Sequence, residues 1–486
     1  MHKIDFCSRR ALYSIDLTRA IEQAAQANMP PHTLMQRAGL AVARLAMAVV
    51  PHSHRIWIAC GPGNNGGDGL EAAMHLQSWG KSPIVTWLGS PDSAPPDAAL
   101  SFQRAAEAGV TFAGMPPQDC DLCIDALLGI GTSNRTPEGR MADWINLMNT
   151  SEVPVLAVDI PTGLHADTGH ALQPVVKATH TLSLLTLKPG LFTAHGRDAA
   201  GTVWMDDLGT QDHPPDSFDP AFPPGAWLAG TAAETTRLHA SHKGSFGDVA
   251  VVGGAPGMTG AALLAASAAL HAGAGRVFVG LLDGGGMTVD VGQPELMFRA
   301  VETLDFRKMT VVCGCGGGDA IRGPLATILS ASALVVIDAD ALNSIASDSQ
   351  LQTLLMARGK RFTGTVLTPH PLEAARLLGL STSQIQADRL GAAGQLAQRF
   401  GCVVVLKGSG TFVASPGQIP AINPTGNARL ATAGTGDVLA GMIGAGLASG
   451  KPAFEAACEA AFRHGQVADQ WTGKRPLTAS ALSQLL

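Results

Sequence analysis

Asparagine, aspartate and glycine residues are concentrated in the segment Gly61-Pro-Gly-Asn-Asn-Gly-Gly-Asp-Gly69, which directly follows the apolar, strand-like run Arg55 to Cys60. A strand, a glycine-rich turn and a helix in this order bring backbone N–H groups and a helix N-terminus against a phosphate. The side chains of Asn64, Asn65 and Asp68 can bind ribose hydroxyls or a cation, although turn formation and helix capping would use the same residues. The segment therefore predicts a nucleotide site, followed by a helix from Leu70 to Trp79.

Two more carboxylates follow predicted strands in the same half of the chain. Asp125 lies in Ile124-Asp-Ala-Leu-Leu-Gly-Ile-Gly-Thr132, and Asp159 lies in Val158-Asp-Ile-Pro-Thr-Gly163. The carboxyl ends of parallel strands converge on one crevice, and ligands bind there in doubly wound sheets. We therefore expect all three segments to contribute to a single site.

A second group of motifs lies in the C-terminal half and ends with Ala433-Gly-Thr-Gly-Asp-Val-Leu-Ala-Gly441. Here a Gly-Thr-Gly turn opens a predicted helix, so unpaired N–H groups and the positive end of the helix dipole face the same point as Asp437. Phosphoryl transfer needs this combination, because it depends on charge stabilisation and on deprotonation of the accepting hydroxyl. Helix capping is the alternative role for Asp437.

The elements that position these residues alternate between strand-like and helical patterns in both halves. The 486 residues include 57 glycines and 46% hydrophobic but only 5% aromatic residues, a composition common where Ala-rich helices cover parallel sheets. The alternation predicts an α/β protein with a Rossmann-like three-layer domain at residues 1–211 and a second α/β domain at 227–486. The five prolines between 211 and 224 predict a linker at 212–226.

Charge and apolar patterning exclude several classes of partner. The net charge is only −6, and Lys and Arg are scattered without long runs, so we expect no nucleic-acid and no membrane partner. Charges interrupt every apolar stretch near the N-terminus, which argues against a signal peptide and favours a cytoplasmic protein. The eight cysteines are interpreted as reduced, with Cys60, Cys313 and Cys402 in apolar strands.

Two sets of residues could suggest a redox or metal site, but each lacks the neighbouring ligands that such a site needs. Cys120-Asp-Leu-Cys123 has the redox or zinc spacing, but it is a single pair on a predicted strand with no His partner, so we favour core packing. His239 and His242 have no neighbouring Cys or carboxylate cluster, so we interpret them as linker surface or substrate contacts.

The motifs GPGNNGGDG, IDALLGIG and VDIPTG, in this order, make residues 1–210 resemble the NAD(P)H-hydrate epimerase family. The resemblance implies a potassium ion held by Asn65, Asp125 and Thr162, where the family usually has serine. It places Asp159 beside the reacting ring, where a carboxylate can shuttle protons as a hydroxyl leaves and returns; an ion-pair or capping role is the alternative. The resemblance further implies that the hydrated nucleotide contacts Asn64, Asn65, Gly66, Gly67, Asp68, Gly129, Ile130, Gly131, Thr132, Ser133, Asn134, Arg135 and Asp159.

The motifs HKGSFG, DADALN, TPHPLE and LKGSGT make residues 230–485 resemble the ribokinase-like superfamily, and specifically its ADP- or ATP-dependent NAD(P)H-hydrate dehydratase branch. The resemblance implies ADP as co-substrate, a magnesium ion on its phosphates and Asp437 as the catalytic base. One departure is the turn Gly314-Cys-Gly-Gly-Gly318, where the family usually has Gly-Pro-Gly-Leu-Gly. The implied nucleotide contacts are Lys407, Gly408, Ser409, Gly410, Thr411 and Gly436, and the implied contacts with the hydrated substrate are Ala255, Gly317, His370 and Asp437.

Together the two resemblances imply repair of hydrated NADH and NADPH. The R and S hydrates would be epimerised, and the S hydrate would be dehydrated at the expense of ADP, with release of AMP and phosphate. Two alternatives remain: a kinase for a vitamin or sugar alcohol, and a non-catalytic interaction module of the kind found in RNA-decapping scaffolds. We expect small-molecule substrates and a homo-oligomer.

Overall fold

A computed structural model describes residues 1–132, 135–210, 217–231, 239–361 and 364–486. Contacts within the chain define two compact units, Met1–Leu228 and Ala229–Leu486. The domain division expected from the sequence, with a linker at 212–226, stays a prediction, and residues 211–216 lie outside the described residues. Within the described ranges, no helix is long and apolar enough to cross a membrane.

The first unit is built around a sheet that is parallel except for one edge strand. The eight strands of this sheet are β1 (His2–Lys3), β3 (Arg55–Cys60), β4 (Ser82–Trp87), β5 (Thr111–Phe112), β6 (Leu122–Ala126), β7 (Val155–Val158), β8 (His180–Leu184) and β9 (Thr202–Asp206). Two further strands of the unit, β2 (Arg10–Leu12) and β10 (Ala226–Leu228), pair with each other and are antiparallel. Its described α-helices are α1 (Ile15–Gln26), α2 (Thr33–Val49), α3 (Asn64–Ser78), α4 (Pro96–Glu107), α5 (Arg140–Thr150) and α6 (Gly196–Ala199).

The order of strands in this sheet is β1-β9-β8-β7-β6-β3-β4-β5, with β1 antiparallel to β9. The chain runs outward from β3 to β4 in one direction and from β6 to β9 in the other, so the strand order reverses between β3 and β6. Apolar clusters on the two faces bury side chains of α2 and α3 on one side and of α5 on the other. This is the predicted three-layer arrangement, and its ligand crevice is expected where the order reverses.

Helix α3 begins at Asn64, whereas the sequence pattern predicted a glycine-rich turn and a helix only from Leu70. The expected boundary was wrong because the glycines of this segment serve close packing inside a helix. A Cβ atom on Gly66 would lie 2.0 Å from the carbonyl oxygen of Gly61, and one on Gly67 would lie 2.7 Å from the Met35 side chain. Both distances are far below a van der Waals contact, so only glycine lets the helix start this close to the end of β3.

The second unit contains a second, larger sheet. Its described strands are β11 (Asp248–Gly253), β12 (Arg276–Leu281), β13 (Met297–Phe298), β14 (Thr310–Cys313), β15 (Leu334–Ile337), β16 (Gly364–Leu367), β17 (Val403–Leu406), β18 (Phe412–Ala414) and β19 (Ala421–Ile422). Its described α-helices are α7 (Thr259–His271), α8 (Arg322–Ala331), α9 (Ala339–Ser347), α10 (Ser349–Gly359), α11 (Pro371–Leu378), α12 (Thr382–Ala387), α13 (Arg389–Phe400), α14 (Thr435–Ala448), α15 (Ala453–Gln470) and α16 (Ala479–Gln484).

These strands are ordered β13-β12-β11-β14-β15-β16-β17-β18-β19, and the first seven in this order are parallel. The last two, β18 and β19, form an antiparallel extension of β17. The registers align the carboxyl ends of β11, β14, β15 and β16, so the loops after these strands meet along one edge. The α/β class predicted for both halves is confirmed.

Candidate functional site

A cavity of about 540 Å³ opens at the carboxyl ends of β3, β6 and β7 in the first unit. Its wall also includes the polar face of α1 and the start of α3. The predicted residues that line it are Asn64, Asn65, Asp68, Gly129, Ile130, Gly131, Arg135 and Asp159. The crevice thus lies at the reversal of strand order, and a helix N-terminus faces it as an anion site requires.

The remaining predicted residues of this site lie in three different settings. Gly66 and Gly67 are buried against neighbouring backbone and Met35 and do not line the cavity. Thr132 ends a 3₁₀ turn that begins at Ile130. Ser133 and Asn134 lie outside the described residues.

Asp125 and Thr162 are hydrogen-bonded to each other and to the backbone of the loop that follows β6, and Asn65 lies beside Gly129 of the same loop. The Thr162 backbone N–H and hydroxyl donate to the two carboxylate oxygens of Asp125 at 2.8 and 2.7 Å, and both residues are fully buried. The amide oxygen and nitrogen of Asn65 are buried without a hydrogen-bond partner among the described residues. A Cβ atom on Gly129 would lie 3.0 Å from that amide oxygen, so glycine keeps the space beside it open.

Burial raises the pKa of Asp125 to about 6, although the hydrogen bonds from Thr162 oppose the shift. The unpaired amide oxygen of Asn65, the buried carboxylate of Asp125 and the hydroxyl of Thr162 are all hard oxygen ligands. Since a buried polar group without a partner costs free energy, the arrangement fits a bound cation.

Asp159 forms an ion pair with Lys188 at the cavity wall. Lys188 is fully buried, and its ammonium group donates to Asp159 Oδ1, to the Leu184 carbonyl oxygen at 2.7 Å and to the Ser183 hydroxyl at 3.3 Å. All three N–H groups therefore have acceptors in the protein. The ion-pair alternative for Asp159 is thus present, yet it occupies Oδ1 and leaves Oδ2 without a hydrogen-bond partner among the described residues.

Two further carboxylates face Asp159 across the cavity. Burial, followed by the charges of Asp159 and Glu22, raises the pKa of Asp68 well above its ordinary value. The pKa of Glu22, on α1, is also raised, by burial and then by Asp159. A cationic group in the cavity would favour the ionised form of these two carboxyl groups and be stabilised by it, because opposite charges interact strongly where water is scarce.

In the second unit, Asp338 lies at the centre of a cluster formed by the loops after β14, β15, β16 and β17. The Lys407 ammonium group and the Thr368 hydroxyl both donate to Asp338 Oδ1 at 2.7 Å. Burial lowers the pKa of Lys407, but Asp338 and Glu373 outweigh it, so the net shift is upward. Lys407 is therefore held as a cation at the carboxyl edge of the sheet.

Asp437 lies in the first turn of α14, two residues after the helix begins. The N-cap is Gly434, in the left-handed conformation at φ 91°, so Asp437 does not cap the helix. Ligand atoms of Asp437, Cys315 and Asp338 lie within 4.8 Å of one another. Burial, and then the charge of Asp338, raises the pKa of Asp437 to about 7, which suits a general base near neutral pH.

The turn from Gly314 to Gly318, which departs from the family pattern, keeps a backbone conformation that lets a ligand approach it closely. Gly314, Gly316 and Gly318 have φ values of 110°, 59° and 50°, which favour glycine. The Ala255 backbone N–H donates to the Gly316 carbonyl oxygen at 2.7 Å, so Ala255 and Gly317 lie in two adjoining turns. Cys315, where the family usually has proline, brings its thiol to Asp437.

His370 caps helix α11 and faces the same cluster. Its Nδ1 accepts from the Leu372 and Glu373 backbone N–H groups at 3.0 and 3.3 Å, while Glu373 Oε2 accepts from the His370 backbone N–H at 2.8 Å. Burial, and then Lys407, lowers the pKa of His370. Nδ1 is thus occupied as an acceptor, and Nε2 lies 3.3 Å from Glu373 Oε1.

The loop after β17 carries the predicted nucleotide contacts. Arg389, itself buried, donates to the carbonyl oxygens of Leu406 and Lys407 at 3.3 and 3.2 Å and so fixes the start of the loop. A Cβ atom on Gly436 would lie 3.3 Å from Lys407 Nζ, which brings this loop and the start of α14 together. The rest of the predicted contacts follow Lys407 directly: Gly408, Ser409, Gly410 and Thr411.

The sequence patterns missed several residues that build these sites. Lys188 is a charged residue directly after the largely apolar segment Leu182–Leu187, and this position was its available signal. His464 gave no local signal: it is buried on α15, and its Nε2 lies 2.9 Å from the Thr435 carbonyl oxygen that precedes the Asp437 turn. Asp338 and Glu373 stood in quoted motifs but received no role.

Two family models match the chain. One, described as NAD(P)H-hydrate dehydratase, matches residues 249–486, and the other, described as YjeF-related protein N-terminus, matches residues 31–190. A solved ADP/ATP-dependent NAD(P)H-hydrate dehydratase from Bacillus subtilis is 29% identical, with a TM-score of 0.44, and the match covers 51% of this chain and 91% of that one.

Curated relatives match over one or both halves. The ADP-dependent (S)-NAD(P)H-hydrate dehydratase of Neisseria meningitidis is 49% identical over 240 residues, which is 48% of this chain and 80% of the relative. The bifunctional NAD(P)H-hydrate repair enzyme Nnr of Escherichia coli is 34% identical over 481 residues, which is 94% of this chain and 88% of the relative. The resemblance inferred from the motifs is confirmed, and the chain belongs to the family of bifunctional NAD(P)H-hydrate repair enzymes.

Proposed function

We propose that this protein repairs hydrated NADH and NADPH with two separate sites. The first unit epimerises the R and S hydrates, and the second dehydrates the S hydrate with ADP, releasing AMP and phosphate. The observation that carries the proposal is the meeting of Asp437, Lys407 and the start of α14 at one edge of the second sheet. A base, a cation and a helix N-terminus together suit phosphoryl transfer to a hydroxyl.

Epimerisation requires loss and return of one hydroxyl. The damaged ring carries it on a carbon next to the ring nitrogen, so the nitrogen lone pair can expel it and leave a cationic ring. In its protonated form Asp159 gives a proton through Oδ2 to the departing hydroxyl, and as the carboxylate it takes a proton back from the water that adds to the other face. Asp68 and Glu22 stabilise the cationic ring, and Lys188 keeps Asp159 oriented through Oδ1.

A potassium ion would be held by Asn65, Asp125 and Thr162, whose oxygen atoms fit it. When bound, it supplies a positive charge that balances the buried carboxylate and gives the Asn65 amide oxygen a partner. The order of the Gly129 turn then depends on the ion, because Leu127 and Leu128 donate backbone N–H groups to Asp125 and Thr162.

We expect Asp125→Asn to remove this dependence on potassium. In the parent, potassium should raise the melting temperature relative to choline, because a ligand that binds only the folded state stabilises it. The variant should show no such difference, and its epimerisation should slow about tenfold or more, with dehydration of the S hydrate unchanged. Asp119→Asn, an exposed aspartate of the same unit, is the matched control. Equal responses to potassium in parent and variant would contradict the assignment.

Dehydration begins with transfer of the terminal phosphate of ADP to the ring hydroxyl. Asp437 removes the hydroxyl proton as the oxygen attacks, and the bond to AMP breaks. Phosphate is a far better leaving group than hydroxide, so the ring nitrogen expels it, and loss of a proton from the neighbouring carbon restores the dihydropyridine. Lys407 and the N–H groups at the start of α14 offset the charge on the transferred phosphate.

Among the described residues, the side chains of the second site do not suit a resident magnesium ion. The thiol of Cys315 is a poor ligand for this hard cation, and Asp338 is already paired with Lys407. We therefore propose that magnesium arrives on the phosphates of ADP and is part of the nucleotide substrate.

The rate of dehydration should rise with pH through about 7. Because the pKa of Asp437 is about 7, its carboxyl is protonated below this pH and cannot act as a base. The rate should then fall about tenfold for each unit below the pKa. The pKa of Glu373 is also raised to about 7, chiefly by burial, so Glu373→Gln is the control. Loss of the pH dependence in Glu373→Gln would assign it to Glu373 instead of Asp437.

Purified protein incubated with chemically hydrated NADH tests the whole proposal. With ADP and magnesium we expect both epimers to return to NADH, and AMP and phosphate to form in equal amounts. Accumulation of a stable phosphorylated product would favour the kinase alternative, in which phosphate is retained. No change in either epimer would favour the non-catalytic alternative.

A further inference from the structure

Two cysteines of the first unit lie with their sulfur atoms in contact, away from the residues that line the cavity. Cys120 Sγ and Cys123 Sγ are 3.6 Å apart, a hydrogen-bonding distance for thiols, and both are free. In the sequence, the Cys-x-x-Cys spacing suggested a redox or metal role, but the position on a predicted strand and the lack of a His partner favoured core packing. We propose that they form a reversible dithiol and disulfide pair, oxidised by low-molecular-weight disulfides, and that oxidation slows the reaction in the neighbouring cavity.

The two thiols differ in their access to solvent. Cys120 precedes β6 and is half-buried, whereas Cys123 lies inside β6 and is only 1% exposed. A dissolved disulfide can therefore reach Cys120, while Cys123 is reached only from Cys120. This is the asymmetry of an attacking and a resolving cysteine.

The groups around Cys120 also favour it as the attacking cysteine. The hydrogen bond with Cys123, followed by smaller effects of the Trp57 backbone N–H and of Arg55, lowers the pKa of Cys120. Cys120 is thus the better thiolate, and a thiolate is the form that attacks a disulfide.

The backbone holds the two cysteines in place. Asp121, between them, accepts from the backbone N–H groups of His54 and Arg55 at 2.7 and 2.8 Å. The Cys123 backbone N–H donates to the Pro154 carbonyl oxygen at 3.0 Å. Because a disulfide needs sulfurs about 2 Å apart, bond formation requires only a movement of about 1.5 Å.

Oxidation proceeds in two balanced steps. The Cys120 thiolate attacks one sulfur of an external disulfide, forms a mixed disulfide and releases one thiolate. Cys123 then attacks the Cys120 sulfur, and the second external thiolate leaves. Two protein thiols are oxidised, one external disulfide is reduced to two thiols, and the two protons pass to those thiols.

The pair is connected to the cavity through one strand and one apolar cluster. Cys123 and Asp125 are two residues apart on β6, so their side chains lie on the same face. Cys123 also packs in a cluster with Leu127 and Leu128, whose backbone N–H groups bind Asp125 and Thr162. A disulfide that moves Cys123 therefore displaces the backbone N–H groups that hold Asp125 and Thr162. The resulting loss of activity rests on the proposed epimerase function.

The test uses the full-length protein and oxidised glutathione, with mass spectrometry of its peptides. The parent should lose two hydrogens from the peptide containing both cysteines, and dithiothreitol should restore them. Cys123→Ser should accumulate a mixed disulfide on Cys120, and Cys120→Ser should acquire neither product. Cys458→Ser, which removes a thiol whose pKa is raised to about 12, should behave like the parent. Glutathione on Cys123 in Cys120→Ser, or no disulfide in the parent, would overturn the proposal.

Epimerisation is then measured on the reduced and oxidised proteins. The oxidised parent should react several-fold more slowly and recover with dithiothreitol, while Cys120→Ser should be insensitive to oxidised glutathione. Equal rates in the oxidised and reduced parent would overturn the effect on the cavity. Absence of epimerisation even in the reduced parent would contradict the proposed function. The peptide masses would still show whether the disulfide forms.

Discussion

Asp437→Asn is expected to slow dehydration of the S hydrate by about a hundredfold to ten-thousandfold, or roughly 3 to 5 kcal/mol of barrier, because asparagine keeps the shape of aspartate but cannot take the hydroxyl proton. Affinity for ADP should barely change, since the backbone N–H groups of α14 and the loop from Lys407 to Thr411 remain. Calorimetry of ADP binding and measurement of AMP and phosphate release separate the two effects.

Asp319→Asn, which alters an exposed aspartate of the same unit, is the matched control and should keep the parent rate. Epimerisation in Asp437→Asn should also be unaffected, because the first unit has its own carboxylates. Near-normal turnover in Asp437→Asn would show that another group removes the proton, and weak ADP binding would show that Asp437 holds the nucleotide instead.

Asp159→Asn is expected to have the second large effect, a loss of about a hundredfold or more in epimerisation with dehydration of the S hydrate intact. Asparagine suits the position, because Asp159 has a φ of 67° and asparagine tolerates this left-handed conformation. The change leaves the Lys188 ammonium buried without its counter-charge. Breaking a buried ion pair typically costs about 3 to 5 kcal/mol of unfolding free energy, with the retained amide oxygen reducing the loss here.

The double variant Asp159→Asn with Lys188→Met separates catalysis from stability. Removing the unpaired ammonium should recover much of the lost stability in thermal unfolding, while epimerisation should stay slow because no carboxylate is restored. Lys188→Met alone should slow epimerisation less than Asp159→Asn, since the carboxylate remains but loses its orientation. Recovery of epimerisation in the double variant would contradict the role given to Asp159.

Much of the fold followed from local patterns. Apolar runs separated by helical periodicity predicted the alternation of strands and helices in both halves, because a buried parallel strand must be apolar along its whole length. The patterns failed for short edge strands such as β5 and β13, whose two residues carry too little signal. They also misplaced the start of α3 by six residues. The glycines from Gly66 to Gly69 have the composition of a turn, whereas in the structure they allow close packing within the helix.

In the candidate sites, too, local patterns predicted some features and missed others. The Gly-Thr-Gly turn with Asp437 was predictable, because a helix N-terminus and a carboxylate in its first turn are neighbours in the chain. The partners of Asp159 and Asp338 were not, because Lys188 and Lys407 lie 29 and 69 residues away along the chain. Such pairs depend on which strands adjoin and in what register, and neither is encoded in a local motif.

The sequence by itself determined the α/β class, the two groups of motifs and the chemical types of their side chains, since all of these depend on neighbours within a few residues. Only the tertiary structure decided that Lys188 orients Asp159, that the Asn65 amide lacks a partner, and that the Cys315 thiol reaches Asp437. The physical reason is that burial and long-range pairing set the charge state and orientation of a side chain. Both arise only when distant strands close into one sheet.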